Sequence, residues 1–279
     1  MQTKPDPSPA AAAVLRRSNV HLLGEGSQPM VFAHGFGCDQ QMWRFVAPAF
    51  EETHQVVLFD HVGCGRSDFS AWSPQRHADL QGYASDVVDL LEALDLHDVI
   101  FVGHSVSSMI GVLAANRIPH RFAHLVLVGP SPRYLNDPPN YHGGFERADI
   151  EALARLMEQN MVGWADYLAP VVIGAENGEE FSRELKASFC TADPVIARQF
   201  AAATFLGDNR ADLDDVTTPT LVMQVEQDSI APMEVGRFVH DRLRNSHLTV
   251  LPTSGHCPHM THPNETIQAI RNYLDRSGL

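Results

Sequence analysis

The stretch VIFVGHSVSSMIGVLAANR, residues 99–117, decides the fold. Val99 to Gly103 is a continuous apolar, largely β-branched run of the kind that a strand covered on both faces of a parallel sheet requires. It breaks at Gly103-His104-Ser105-Val106-Ser107, after which Met109, Ile110, Val112 and Leu113 recur at helical spacing. A strand that turns sharply into a helix around a serine is a nucleophile elbow. Small residues flank the serine because the turn is crowded, and the helix N-terminus beneath it favours developing negative charge. Ser105 is therefore the expected nucleophile. The usual motif closes on glycine, and Ser107, which stands there, is still small enough for close packing.

Working outward, similar short runs occupy Met30 to Ala33, Gln55 to Asp60, Leu125 to Val128, Thr220 to Val225 and His247 to Leu251. Amphipathic stretches lie between them: Tyr83 to Leu94, Ser107 to Arg117, Met233 to Leu243 and Asn264 to Leu274. Strands alternating with helices predict an α/β fold with a mostly parallel sheet. Ser131 to Asp215 interrupts the alternation with helical patterns, such as Ile150 to Gln159 and Pro194 to Phe205, and no convincing strand. A helical lid is expected there, over the carboxyl ends of the strands, where open α/β sheets bind ligands. The expected organisation is a flexible leader over residues 1–17, a core in two parts over 18–130 and 216–279, and the lid over 131–215.

A serine needs an adjacent base that is itself oriented by a third group. Asp228, in a loop after the Thr220 to Val225 run, supplies the acid, and His256, in the small-residue turn Ser254-Gly255-His256, supplies the base. The chain order Ser, Asp, His suits an α/β-hydrolase triad. Glu226 and the group Asp212, Asp214 and Asp215 are rival acids, ranked lower as solvated or too early in the chain. Acyl transfer also needs donors aimed at an oxyanion, and the backbone N–H groups of Phe36, after His34-Gly35, and of Val106 are the expected pair. Tyr134, Phe145, Met161, Trp164, Phe189, Phe200 and Phe205, with the ring of Phe36, form the expected pocket lining.

Composition narrows the function. With 34 acidic against 20 basic residues the formal charge is -14, which disfavours nucleic acid and anionic membrane surfaces as partners. No stretch approaches the roughly 18 consecutive apolar residues of a membrane helix, and no export signal is read at the start. The four scattered cysteines read as reduced thiols, so a cytoplasmic location is expected. No cofactor is expected, and no metal. The spacing of His256, His259 and His262 suggests ligands, but Pro258 and Pro263 break the helix that would align them, and a metal would take His256 from Ser105. His104 and Cys64 are read as structural.

Segments along the chain, at the triad and away from it, resemble one group. Phe36-Gly37-Cys38-Asp39-Gln40, Asp60-His61-Val62-Gly63-Cys64-Gly65, Gly103-His104-Ser105-Val106-Ser107, Gly129-Pro130-Ser131-Pro132, Tyr134-Leu135-Asn136-Asp137, Asp193 to Phe200 and Gly255 to Met260 are similar to the RsbQ-type hydrolases. That group covers bacterial general-stress regulators and the plant karrikin and strigolactone receptors. The resemblance spans about residues 18–275. It implies an α/β-hydrolase fold with an eight-stranded sheet, a lid of four helices in two V-shaped pairs, and a narrow hydrophobic cavity above the serine. It also implies slow cleavage of a small apolar ester or lactone and, for the bacterial members, a PAS-containing signalling partner. A metabolic esterase or lactonase without a partner and a ligand sensor both remain open, with cofactor-free haloperoxidase chemistry a weaker third. Dehalogenases and epoxide hydrolases are disfavoured because they carry aspartate where Ser105 stands.

Overall fold

The computed structural model describes residues 8–278. In chain order its elements are α1 (Pro9–Arg17), β1 (His21–Leu23), β2 (Gln28–Ala33), β3 (His54–Leu58), α2 (Leu80–Ala93), β4 (Val99–His104), α3 (Val106–Arg117) and β5 (Phe122–Val128). Then follow α4 (Arg147–Gln159), α5 (Met161–Ile173), α6 (Glu179–Thr191), α7 (Pro194–Phe205), β6 (Thr220–Gln227), α8 (Met233–Arg242), β7 (Ser246–Ser254), α9 (Pro258–Thr261) and α10 (Pro263–Arg276), with short 3-10 turns between.

The strands form one sheet in the order β1-β3-β2-β4-β5-β6-β7, parallel except for the antiparallel β1–β3 pair at one edge. β4 is buried along its whole length, as its unbroken apolar run requires. Tyr83, Val87 and Leu90 of α2, Met109 and Val112 of α3 and Val239 of α8 close one face of the sheet, while Ile270 and Leu274 of α10 close the other. Burying each such side chain contributes about 1.5–3 kcal/mol. No helix of the described residues is long and apolar enough to cross a membrane.

Two expectations are corrected. The sheet has seven strands among the described residues, where the resemblance implied eight, because the chain preceding β1 is helical rather than extended. That helix, α1, also falls within the stretch expected as a flexible leader, of which residues 1–7 lie outside the described residues. The alanine run is an excellent helix former, Pro9 suits the first turn, and the Ser8 hydroxyl accepts from the Ala11 N–H as an N-cap. Arg17 anchors its end by donating to Asp89 at 3.0 Å.

Helices α4, α5, α6 and α7 all lie in the interval between β5 and β6, with α5 packed against both α4 and α6 and α4 against α7. Ser105 follows β4, Asp228 follows β6 and His256 follows β7, so all three stand at the carboxyl ends of their strands.

Candidate active site

Ser105 joins β4 to α3 with φ 56° and ψ −121°, a conformation an L-residue adopts only under constraint. The constraint is hydrogen bonding on both sides: the Ser105 N–H donates to the Val128 carbonyl at 2.8 Å, and the Ser105 carbonyl accepts from the Ser108 N–H at 2.9 Å. Position 103 must be glycine, since a Cβ there would lie 2.5 Å from the Ser107 carbonyl oxygen. Ser107 itself is more than a small filler. Its hydroxyl donates to the His34 carbonyl and accepts from His61 Nε2 at 2.7 Å. His34 in turn donates from Nδ1 to the Gly35 carbonyl and accepts the His61 N–H on Nε2. Burial holds both rings below the ordinary histidine value, so this network beneath the elbow is uncharged.

The Ser105 hydroxyl lies 2.8 Å from His256 Nε2, and His256 Nδ1 lies 2.7 Å from Asp228 Oδ2. With Nδ1 donating to the carboxylate, Nε2 is left as the acceptor that faces the serine. The second carboxylate oxygen of Asp228 accepts the N–H groups of Ile230 and Ala231 at 2.8 and 3.0 Å, which fixes the acid. Gly129, with φ +57°, leaves space for the imidazole; a Cβ there would stand 3.1 Å from His256 Cε1. The turn carrying His256 is held from the helical insertion. The His256 N–H donates to the Val172 carbonyl of α5 at 2.7 Å, and the Asn177 amide donates to the carbonyls of Ile173 and Ser254 at 2.7 and 2.8 Å. From the other side His104 Nε2–H donates to the His256 carbonyl at 2.8 Å.

The rival acids lie elsewhere. Glu226 is exposed, and Asp214 pairs with Arg242 at 2.8 Å. Val106 is the first residue of α3, so its N–H has no partner within the helix, and the N–H of Phe36 has no acceptor among the described residues. Both are thus available as donors. The sequence reading missed one contact: the hydroxyl of Tyr134, expected as lining, lies 3.2 Å from Ser105 Oγ. Burial keeps that phenol protonated well beyond its ordinary range.

Ser105 and His256 open into a cavity of about 130 Å³ enclosed by α4, α5, α6 and α7. Of the expected lining, Phe36, Phe145, Trp164, Phe189 and Phe205 wall it, whereas Tyr134, Met161 and Phe200 do not. Phe200 faces the sheet side, stacking on Tyr83 with ring centroids 4.3 Å apart, and Met161 is a partly buried residue at the start of α5. Aliphatic residues that an aromatic count overlooks, among them Ile150, Met157, Leu168 and Leu185, complete the wall. Besides the imidazoles of His104 and His256, the one ionic side chain in the lining is Arg198, half exposed and paired with Glu158 at 2.8 Å.

The alpha/beta hydrolase fold family model matches residues 28–263. The chain is 36% identical over 257 residues to Karrikin insensitive 2 receptor CA of Petunia hybrida, covering 92% of this chain and 95% of that protein. It is 36% identical over 255 residues to Strigolactone esterase RMS3 of Pisum sativum, covering 90% and 94% respectively. Among solved structures, a hydrolase from Oleispira antarctica superposes with a TM-score of 0.93 at 44% identity, covering 95% of this chain and 97% of that one.

Proposed function

This chain belongs to the alpha/beta hydrolase fold family, and on that premise we propose that it is a serine hydrolase of the RsbQ type that cleaves a small apolar ester or lactone. The observation that carries the reading is the unbroken hydrogen-bonded line Asp228–His256–Ser105, opening onto an apolar cavity. In this mechanism Ser105 Oγ attacks the substrate carbonyl carbon as its proton passes to His256 Nε2. Asp228 holds the imidazolium that forms. The tetrahedral oxyanion accepts from the Phe36 and Val106 N–H groups, a contribution of about 3 kcal/mol per donor. Collapse expels the alkoxide, which takes the proton from His256, and leaves an acyl group on Ser105. Water, deprotonated by His256, then attacks the acyl carbon and releases the acid and the free serine. From a lactone the alcohol and acid are one molecule.

The test is Ser105→Ala, which should abolish hydrolysis of short acyl nitrophenyl esters while melting like the wild type, together with a fluorophosphonate adduct mapped to Ser105. Turnover by the variant, or an adduct elsewhere, refutes the assignment.

A signalling role through a regulatory partner, of the PAS-containing kind that the resemblance implies, is favoured by one structural feature. The insertion that closes the cavity as a lid also holds the His256 turn, so ligand state and outer surface share a frame. The similarity to a protein named as a receptor supports the same reading. The free cysteines Cys38, Cys64, Cys190 and Cys257 accord with a cytoplasmic protein. Capture of a PAS-containing protein from native cells, stronger with the lactone-loaded Ser105→Ala variant, is the expected result. If no partner is retained and hydrogen exchange in α4 to α7 is the same with and without lactone, the plain metabolic esterase is the better account.

A further inference from the structure

Beside the site three side chains converge that the hydrolytic steps leave unused. The donor atoms of His104, Cys257 and His259 lie within 4.8 Å of one another, and all three residues are buried. His104 commits its Nε2–H to the His256 carbonyl, which leaves Nδ1 as a bare lone pair, and that nitrogen has no hydrogen-bond partner among the described residues. Neither ring nitrogen of His259 has a partner there, although the ring is wholly buried. Buried polar nitrogens without partners are rare and call for an explanation. The rings are fixed where they stand: His259 lies against Trp43 with centroids 4.5 Å apart and against His104 at 4.4 Å. Position 35 is glycine, and a Cβ there would fall 2.5 Å from His104 Nδ1, so any side chain would crowd that nitrogen.

We propose that His104 Nδ1, Cys257 Sγ and one ring nitrogen of His259 bind a single soft monovalent transition-metal ion of the copper(I) class. Two imidazoles and a thiolate are a soft donor set. A trigonal ion about 2.0 Å from nitrogen and about 2.3 Å from sulfur places its donors roughly 3.5–3.7 Å apart. Counting one ring nitrogen of each histidine, the donors stand within 4.8 Å, so closing the set takes a contraction of up to about 1.3 Å. Charge selects the monovalent ion: with one thiolate it makes a neutral complex, whereas a divalent ion would leave a net positive charge buried and lack a fourth ligand. Binding replaces the Cys257 S–H bond by an S–Cu bond and releases that proton to solvent, with no change of oxidation state. Both imidazoles must bind in the neutral form, which burial favours, whereas burial pushes the Cys257 thiol up, so the ion itself must displace that proton. His104 and Cys257 also line the cavity, which gives the ion a way in. This trio differs from the His256, His259 and His262 spacing that the sequence suggested and leaves His256 free for Ser105. His262 instead bonds its neighbour Thr261 through Nδ1 at 2.9 Å.

The test is an anaerobic titration of the purified full chain with copper(I) against a chromophoric chelator, joined to X-ray absorption of the loaded protein. One ion per chain, one proton released per ion, and a first shell of one sulfur and two nitrogens are expected. Cys257→Ser and His259→Gln, each checked by circular dichroism, should weaken binding more than about a hundredfold, beyond what loss of a supporting contact commonly costs. Cys190→Ser, which removes an exposed thiol, should leave it unchanged. Undiminished affinity in folded Cys257→Ser, a shell of two or more sulfurs, or failure of the wild type to compete with the chelator would overturn the proposal. If Cys257→Ser does not fold, the wild-type ligand shell decides alone. None of these readouts depends on hydrolysis.

Discussion

The Tyr134 hydroxyl stands 3.2 Å from Ser105 Oγ, and because the serine proton points to His256 Nε2, the phenol is the donor of the pair. A donor on Oγ gains strength as the serine proton departs and negative charge builds there. Tyr134→Phe keeps the ring against Phe205, 4.9 Å between centroids, and deletes only that bond. We expect kcat on a short neutral ester to fall by roughly 3- to 10-fold, the worth of one neutral hydrogen bond, with KM little altered. Steady-state kinetics check it, and an unchanged kcat would mean the hydroxyl is idle.

Loss of the base should be far more costly than loss of its orienter. His256→Ala is expected to lower kcat on the order of 10⁶-fold and Asp228→Asn on the order of 10⁴-fold, as members of a triad act together. Glu226→Gln should change kcat by less than about twofold, because its exposed carboxylate is not the one that reaches His256. Comparable damage from the Glu226 and Asp228 substitutions would move the acid.

Cavity size and wall chemistry set the substrate range. Only Arg198 brings formal charge to the lining, and it is already paired with Glu158. A panel of nitrophenyl esters should rank acetyl and butyryl well above dodecanoyl and above succinyl, which carries an anion into an apolar space. A higher kcat/KM for the long or anionic members contradicts the pocket described above.

Stability should fall in acid through the buried histidines. Burial lowers the values of His34, His61, His104 and His259, the last from 6.5 to about 3. Below 6.5 the unfolded chain takes up protons that the folded chain refuses, so the unfolded state binds more protons and stability rises with pH. The contribution is complete above about pH 6.5 and is lost as pH falls toward each folded value, by up to about 1.4 kcal/mol per pH unit for each group. Tm should drop steeply between pH 6.5 and 5, and His259→Gln should flatten the slope. A Tm independent of pH in that window, or an equal slope in the variant, is the contrary result.

Much of this was legible because parallel strands announce themselves. The runs at Met30, Val99, Leu125 and Thr220 are apolar because both faces of each strand are covered, and that logic located the sheet, the elbow and the helical interval. β1 was not legible, since His21–Leu23 is an exposed three-residue edge with no pattern to read. α1 was not legible because its alanine run, with three prolines preceding or opening it, reads as lacking strand or amphipathic patterning. Apolar identity told which residues avoid water but not which side of a helix would face the cavity, hence the misplacement of Phe200 and Met161. The contacts of His104, Tyr134 and Asn177 join residues far apart in the chain, and no local spacing encodes them.

The hydrogen bonds from the His256 N–H to Val172 and from Asn177 to Ser254 carry one more consequence. The turn that aims the imidazole is held in part by α5 and the segment after it. A chain whose sheet had formed but whose helical cover was still loose would lack those fastenings and would aim the His256 ring less firmly at Ser105. Closing the chamber and steadying the imidazole would then be one event.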